Sequence, residues 1–278
     1  MFIRFWKSKF FMIGGVSALI IVLLSIFADV ITPHDPTIPD FNNMFAPPQW
    51  FAYGLQGNVL GTDSLGRDML TRLLVGSRYS LIIALVSVVL ASALGVLLGL
   101  IAGYYGGWVS TLIMRAGDIQ LSIPALMLAV TLFAVIGRNI YDLVIVIVVT
   151  QWPTFARIIY SSVLMTRKSE FISASIIMGS SDRRIMFTQI FPNTLTPLLV
   201  QASQSLGGFI LFEAAMSFLG MGVQAPMPSW GVMIAAGRTA IQTAPWTVMV
   251  PGFALMFTVL SFNFLGDGVR DALDPKMR

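Results

Sequence analysis

The sequence contains no cysteine, only one histidine and few charged residues. Without cysteine the chain has no disulfide, no thiol nucleophile and no iron–sulfur ligand, and a single histidine excludes a Cys/His zinc site. Charged residues make up 11% of the 278 residues, against about 25% in soluble domains, while 56% are hydrophobic. This composition excludes an ordinary soluble domain and predicts an all-α integral membrane protein.

Six apolar runs are long enough, or nearly so, to cross a bilayer as helices of about 20 residues. They are Phe10–Val30, Leu81–Gly103, Ile119–Ile136, Tyr141–Tyr160, Leu195–Leu219 and Thr247–Leu265. The third contains Pro124 near its start, where a proline in the first helical turn is tolerated. Six transmembrane helices place both termini on the same side of the membrane.

The distribution of basic residues predicts the orientation. With the N-terminus inside, the inner segments carry 12 of the 17 Lys and Arg residues and the outer segments carry 5. Cytoplasmic loops retain positive charge, so both termini are expected in the cytoplasm. The first apolar run has 21 residues, longer than the about 7–15 of a signal peptide, which predicts an uncleaved first helix. The basic residues form no stripe, so no nucleic-acid partner is expected.

Two polar segments separate these runs. Thr32–Ser80 contains Pro33, Pro36, Pro39, Pro47 and Pro48 and is expected to be a largely irregular external loop. On the inner side, Thr166–Asn193 predicts one short helix that ends at Gly179 and a second that ends before Pro192, together forming a docking surface. The predicted organisation is a tail and first helix (1–31), an external region (32–80) and a five-helix core (81–278) with an inner loop (166–193).

Few polar side chains are candidates for chemistry. Glu213 lies inside an apolar run, where a carboxylate is a functional candidate, although an ion pair or inter-helix hydrogen bond is the favoured interpretation. His34 is interpreted as part of a turn and not as a metal or proton site. The acidic residues of 61–68 can in principle offer oxygen ligands to a hard cation, but local hydrogen bonds and ion pairs of Asp63, Arg67 and Asp68 are favoured.

The sequence has no GxxxxGK[ST] phosphate-binding loop and no convergent acid–base pair, so an enzyme is not expected. Any energy from a nucleotide must therefore come through a partner. No cofactor is expected in this chain.

Three blocks follow one another along the chain. The outer block is Gly61-Thr62-Asp63-Ser64-Leu65-Gly66-Arg67-Asp68, followed by Arg72 and Ser77-Arg78. The inner block is Glu170-Phe171-Ile172-Ser173-Ala174-Ser175, then Gly179, Arg184-Ile185 and Phe191-Pro192-Asn193, and the third is 213–222 with Pro228-Ser229-Trp230-Gly231. Together they resemble the permease subunits of bacterial ABC importers for dipeptides, oligopeptides and nickel, and more narrowly the second, C-type permease of each pair.

The resemblance implies a type I ABC importer permease fold with cytoplasmic coupling helices. It implies that the inner block, the EAA loop of this family, is seated in a groove of an ATPase; the residues concerned are Glu170, Ser173, Ala174, Ser175, Gly179, Arg184 and Pro192. It gives the outer block a structural or docking role, through Gly61, Thr62, Asp63, Gly66, Arg67 and Asp68. Serines stand at 173 and 175 where the family has alanines, and Phe191 stands where it has leucine.

The implied function is to form half of a translocation path for di- or oligopeptides in the bacterial inner membrane. The implied partners are a second homologous permease, two cytoplasmic ATP-binding subunits that hold ATP and magnesium, a periplasmic or lipid-anchored substrate-binding protein, and membrane lipid. Nickel and glutathione-like substrates remain alternatives within the same importer type. An ion-driven carrier is a further alternative, although such carriers need ionisable groups near the membrane midplane and these spans have almost none apart from Glu213.

Overall fold

The computed structural model describes residues 9–32, 34–50, 58–137 and 139–273, which are mainly helical. The α-helices are α1 (Lys9–Ile26), α2 (Ala28–Ile31), α3 (Met69–Tyr105), α4 (Gly107–Leu121), α5 (Ala125–Ile136), α6 (Ile140–Arg167), α7 (Glu170–Ile177), α8 (Asp182–Arg184), α9 (Phe191–Phe218), α10 (Trp230–Gly237) and α11 (Trp246–Leu273). A π-helix at Ile185–Ile190 joins α8 to α9, and 3₁₀ turns lie at Phe41–Asn43 and Arg238–Ala240. Pro33 and five of the 17 basic residues lie outside the described residues; the five are Arg4, Lys7, Arg138, Lys276 and Arg278.

Five of the described helices are long and apolar enough to cross a membrane, and α4 with α5 makes a sixth span if the pair is counted as one. Five of the six predicted runs therefore each correspond to one of these helices. The third, Ile119–Ile136, is not one helix, because it takes in only the last three residues of α4 and all of α5. Helices α4 and α5 are bent by 97° relative to each other. Pro124 has no N–H and disfavours a helical conformation at the residue before it, so the helix breaks at Ser122–Pro124.

Helix α3 begins at Met69, twelve residues before the start that its apolar run predicted. The side chain of Asp68 caps it by accepting a hydrogen bond from the N–H of Thr71 at 2.7 Å. With 37 residues the helix is about 55 Å long, longer than the bilayer core. The first part of α3 contains arginines that pair with other outer residues. These arginines make the segment polar, which is why hydropathy alone predicted a loop there.

The second inner helix does not end before Pro192, contrary to the sequence prediction. The helical chain continues from Asp182 through the π-helical turn into α9, in which Pro192 is the second residue. Proline has no N–H to donate, and its ring crowds the carbonyl four residues earlier in a regular α-helix. The π-helical turn before α9 accommodates Pro192, so the helical segment continues past it.

The centre of the bundle is the contact between α3 and α6. Gly95, Gly99 and Gly103 of α3, spaced four residues apart, all face α6. A Cβ atom added at Gly99 would lie 2.7 Å from the carbonyl oxygen of Ala156, and one at Gly103 would lie 2.7 Å from Cβ of Val163. Small residues at this spacing allow helix backbones to approach closely in membranes.

Helix α6 contains Pro153, which cannot donate a hydrogen bond to the carbonyl of Val149. The side-chain amide of Gln120 in α4 donates to that carbonyl at 2.8 Å and to the carbonyl of Thr150 at 3.0 Å. The indole N–H of Trp152 in turn donates to Oε1 of Gln120 at 3.1 Å. An unsatisfied backbone carbonyl is unfavourable in lipid. The hydrogen bonds from Gln120 therefore fix the position of α4 along the length of α6.

Candidate inner docking loop and outer clasp

The inner loop (residues 166–193) presents one buried and one exposed face on α7. Ile172 is fully buried and packs in an apolar cluster with Ile185 and Ile190. On the opposite side the side chains of α7 and the residue after it are exposed, ending with Ile177 at 86% and Met178 at 76%. An apolar surface of this kind outside the transmembrane bundle is typical of a protein-interaction site.

Gly179 ends this exposed helix. Its φ of 77° lies in the left-handed region, which favours glycine. The N–H groups of Gly179 and Ser180 close the helix end by donating to the carbonyls of Ile176 and Ser175, both at 3.0 Å. An added Cβ at Gly179 would meet no atom of the chain within 4 Å, so the space beside it is open to a partner.

The contacts of Tyr104 with two residues of the inner loop attach this loop to α3. The hydroxyl of Tyr104, at the end of α3, donates to Oδ1 of Asp182 at 2.7 Å. The guanidinium of Arg167, at the end of α6, lies 5.5 Å from the centre of the Tyr104 ring. Sequence reasoning did not find this link, because the three residues are far apart along the chain and form no motif.

The residues singled out in the inner loop lie on one continuous segment but not on one face. Those at 170, 173 and 174 are exposed on α7, whereas Ser175 is buried and donates to the carbonyl of Phe171 at 3.0 Å. Glu170 is the first residue of α7, where a carboxylate is favourable beside the positive end of the helix. Arg184 at the end of α8 and Pro192 in α9 are also exposed.

The outer clasp (residues 61–68) is organised around the carboxylate of Asp63. Oδ1 accepts hydrogen bonds from the backbone N–H groups of Leu65 at 2.9 Å and Arg67 at 3.0 Å. Oδ2 accepts from the guanidinium of Arg67 at 2.8 Å and lies 3.3 Å from Nε of Arg72. Both arginines are buried, so the expected local ion pair is present and both carboxylate oxygens are occupied by donors.

The same clasp fastens the segment that follows α2 to the start of α3. Thr62, fully buried, donates from Oγ1 to the carbonyl of Asn43 at 2.5 Å and accepts from the N–H of Ala46 at 2.7 Å. Arg72 donates to the carbonyl of Pro36 at 2.6 Å. Gly61 and Gly66 have φ of 78° and 74°, and Gly66 lies directly against the carbonyl of Asp40. Both positions favour glycine because their φ lies in the left-handed region, and Gly66 also because a side chain there would collide with the carbonyl of Asp40.

The indole N–H of Trp246, at the start of α11, also reaches the clasp and donates to the carbonyl of Thr62 at 3.1 Å. This contact joins residues 184 positions apart in sequence. The clasp therefore ties the start of α3 both to the preceding loop and to the last helix.

Glu213 lies at a buried junction. Its carboxylate is fully buried and accepts a hydrogen bond from Oγ of Ser217 at 2.6 Å. Ser80 of α3 and Ser229, which caps α10, lie next to the same carboxylate. Among the described residues, Oε2 of Glu213 and Oγ of Ser80 have no hydrogen-bond partner, so the one hydrogen bond of the carboxylate lies within α9. The carboxylate and these serines come together where α9, α3 and α10 meet, an arrangement that suits a structural role. Ser80 and Ser229 were not predicted as neighbours of Glu213, because they come from separate segments.

No group of three or more His, Cys, Asp or Glu side chains is placed to hold a metal ion within the part of the chain that the structure describes.

Comparisons with known proteins identify the family. Residues 95–278 match the family "Binding-protein-dependent transport system inner membrane component", and residues 1–48 match "N-terminal TM domain of oligopeptide transport permease C". The dipeptide transport system permease protein DppC of Alkalihalophilus pseudofirmus is 42% identical over 275 residues, covering 98% of this chain and 88% of that protein. The glutathione transport system permease protein GsiD of Pectobacterium atrosepticum is 35% identical over 276 residues, covering 99% and 88%.

The fold is also that of a solved importer. A chain of the MetNI methionine ABC transporter, in an inward facing conformation, superposes with a TM-score of 0.60 at 20% identity, covering 74% of this chain and 98% of that chain. The architecture is thus the type I fold of ABC importer permeases. The chain belongs to the family of binding-protein-dependent transport system inner membrane components and is a permease subunit of an ABC importer.

Proposed function

We propose that this permease imports di- or oligopeptides, forming half of a path whose other half is a second, homologous permease. The observation that carries the proposal is the 42% identity to a dipeptide permease over 98% of the chain. Identity to the glutathione permease is 35% over a similar length, so glutathione-like substrates are the second candidate. Glutathione and dipeptides share amide bonds and free carboxylates, which makes the two substrate classes chemically close.

The exposed end of α7 supports docking to an ATPase. Ile177 and Met178 are the most exposed apolar side chains of the inner loop, and Gly179 leaves room beside them for a groove to close. In this proposal Glu170, Ser173, Ala174 and Arg184 lie around the seat, and two cytoplasmic ATP-binding subunits hold ATP and magnesium. This chain has no phosphate-binding loop of its own.

Both termini are proposed to be cytoplasmic. The inner loop carries Arg167, Lys168, Arg183 and Arg184, and basic residues near span ends are retained on the cytoplasmic side. This orientation puts the inner loop with the ATP-binding subunits. It puts the clasp and the segment 220–244 outside, where a periplasmic or lipid-anchored binding protein would dock and deliver its ligand.

The proposed mechanism is a rigid-body switch. Closure of the two ATP-binding subunits moves α7, and the contacts of Tyr104 with Asp182 and Arg167 pass that movement to the inner ends of α3 and α6. Close packing between α3 and α6 makes the two helices move as one body. The path then changes from inward-open to outward-open.

The experiment is a pull-down followed by transport. The chain is tagged at its C-terminus, extracted from native membranes in mild detergent, and reconstituted with the recovered subunits and the binding protein. We expect one different permease, ATP-binding subunits, and ATP-dependent uptake of labelled dipeptide. Uptake without ATP-binding subunits would instead indicate an ion-driven carrier. Selective competition by glutathione or by a nickel chelate would reassign the substrate.

A matched pair of glycines tests the docking assignment. Gly179→Val is expected to lower uptake per ATP hydrolysed severalfold, because the valine occupies the space reserved for the ATPase groove. Gly220→Val is the control, because Gly220 has the same φ of 77° and equally open surroundings but lies at the opposite end of α9. It should retain normal recovery of the ATP-binding subunits. Normal coupling in Gly179→Val would refute the docking assignment.

A further inference from the structure

The break between α4 and α5 lies deep within the transmembrane bundle. The amide of Gln120, two residues before the break, contacts the carbonyls of Val149 and Thr150 in α6. Val149 is the tenth residue of this 28-residue helix, so the contact lies about 14 Å from its Ile140 end and about 27 Å from its Arg167 end. The break is therefore at membrane depth and not at the surface.

The backbone at this break is exposed. All residues from 121 to 127 are exposed, and the first α-helical hydrogen bond of α5 is donated by Leu128 to the carbonyl of Pro124 at 3.1 Å. The N–H groups of the three residues before Leu128 precede that bond and have no acceptor within the helix. Exposed irregular backbone at membrane depth is tolerated against other protein or against water, and not against lipid.

A second polar surface lies on α9. Gln201, Ser205 and Gly208 follow one another at the spacing of one helix face. Gln201 donates to Oγ of Ser205 at 2.9 Å, a contact within α9 itself. Gly208 is exposed, and an added Cβ there would meet nothing within 4 Å. Helix α5 contacts both α6 and α9, so the break and this face belong to neighbouring elements.

We propose that the α4–α5 break and the Gln201–Gly208 face line the water-filled path and contact the main-chain amides of the transported peptide. The inference rests on the proposed peptide import and adds the surface that meets the peptide. This surface offers hydroxyls, a carboxamide and backbone groups, all uncharged. Near the break, the charged side chains of Arg157 and Asp118 form an ion pair with each other. Beside the α9 face, Asp267 accepts a hydrogen bond from Gln204 at 3.4 Å.

Uncharged hydrogen-bonding groups match the peptide bond, which every peptide shares whatever its side chains. They also avoid the strong attraction that a fixed charge would exert on a peptide terminus in a low-dielectric path. The path should therefore bind peptides weakly and with little sequence preference, so that selection rests on the binding protein.

The absence of cysteine allows a direct test. Ser122→Cys and Gly208→Cys are made separately in the full importer in proteoliposomes, with Val89→Cys as control, since Val89 is an apolar residue of α3 that is 56% exposed. A membrane-impermeant methanethiosulfonate ethylsulfonate reagent is added, and its attachment to this chain is followed by mass. We expect modification of both test positions about tenfold faster than of Val89→Cys, because the reactive thiolate forms in water.

The rates are compared without nucleotide and with ATP bound to a hydrolysis-deficient ATPase, and a saturating dipeptide should slow modification severalfold in the open state. Rates no faster than for Val89→Cys in both states would overturn the proposal. So would crosslinking of Ser122→Cys to the second permease, which would show protein covering the break. Fast modification that the dipeptide does not slow would overturn the peptide contact.

Uptake measured in the same vesicles separates the two proposals. If ATP-driven dipeptide uptake persists while the test positions stay unreactive, the path assignment fails and peptide import stands. If uptake proves independent of ATP, the proposed function fails whatever the labelling shows. Gly208→Cys keeps the test decisive if Ser122→Cys does not assemble.

Discussion

Replacing Gly99 by alanine is expected to force α3 away from α6. The added Cβ would lie 2.7 Å from the carbonyl oxygen of Ala156 and 2.8 Å from Cβ of Ile159. Carbon atoms in good contact are about 3.5 Å or more apart, so the helices must separate locally by about 0.7 Å. Both opposing atoms belong to a buried helix and not to the flexible end of a side chain, which leaves little room for local adjustment.

Two effects set the magnitude. Overpacking of a well-packed core costs about 1–3 kcal/mol, and the rigid contacts at Gly99 place this substitution in the upper part of that range. Alanine is the better helix former by about 1 kcal/mol. The net effect is a loss of about 1–2 kcal/mol in the free energy of unfolding. Gly252→Ala is the matched control, because Gly252 lies inside α11 with no atom within 4 Å of its added Cβ.

The assay is reversible unfolding of the purified importer in mixed micelles of mild detergent and sodium dodecyl sulfate, followed by tryptophan fluorescence. Gly252→Ala should be neutral or stabilising by up to about 1 kcal/mol, since only the propensity gain applies. If Gly99→Ala proves as stable as Gly252→Ala, the close contact between α3 and α6 does not carry the stability that the geometry implies.

Three further substitutions test other contacts. Asp63→Asn leaves two buried arginines without their carboxylate and should destabilise the importer by about 3 kcal/mol in the same unfolding assay. The control, Asp35→Asn, is at an exposed position and should change the stability little. Equal effects of the two substitutions would contradict the role of the clasp. Gln120→Leu removes the donor to the carbonyl of Val149 and should cost about 1–3 kcal/mol, and unchanged stability would mean that water or another group replaces the amide. Tyr104→Phe keeps the ring but loses the hydrogen bond to the inner loop, so dipeptide taken up per ATP hydrolysed should fall with little change in assembly, and an unchanged ratio would exclude this link from coupling.

Several features were predictable because they depend on local chemistry. Runs of apolar residues of bilayer length predict spans whatever the arrangement of the bundle. Five of the predicted runs each correspond to one long helix, and the sixth span is present if the bent pair of α4 and α5 is counted as one. The short helix that ends at Gly179 followed from a glycine after an apolar turn, and it ends in the expected left-handed conformation. The ion pair of Asp63 with Arg67 was predictable because the two lie four residues apart in a compact, glycine-bounded segment.

Other features were visible in the sequence only in retrospect. The spacing of Gly95, Gly99 and Gly103 is a signal for close helix packing, but it does not name the helix that is packed against. Pro153 indicates that one carbonyl of α6 needs another donor, without indicating that Gln120 supplies it. Pro124 was placed in a tolerated position near the start of a span, whereas the structure has a 97° bend there.

The order of residues was enough to establish the membrane-spanning class, the number of apolar runs, the positions of the inner and outer polar blocks and the resemblance to a family. These depend on composition and on short-range pattern. Three features became known from the packing of the helices: α3 starts at the clasp, the third span is broken at membrane depth, and Glu213 is buried among serines of three segments. Such features arise from contacts between residues far apart in the chain, whose pairing a single sequence does not specify.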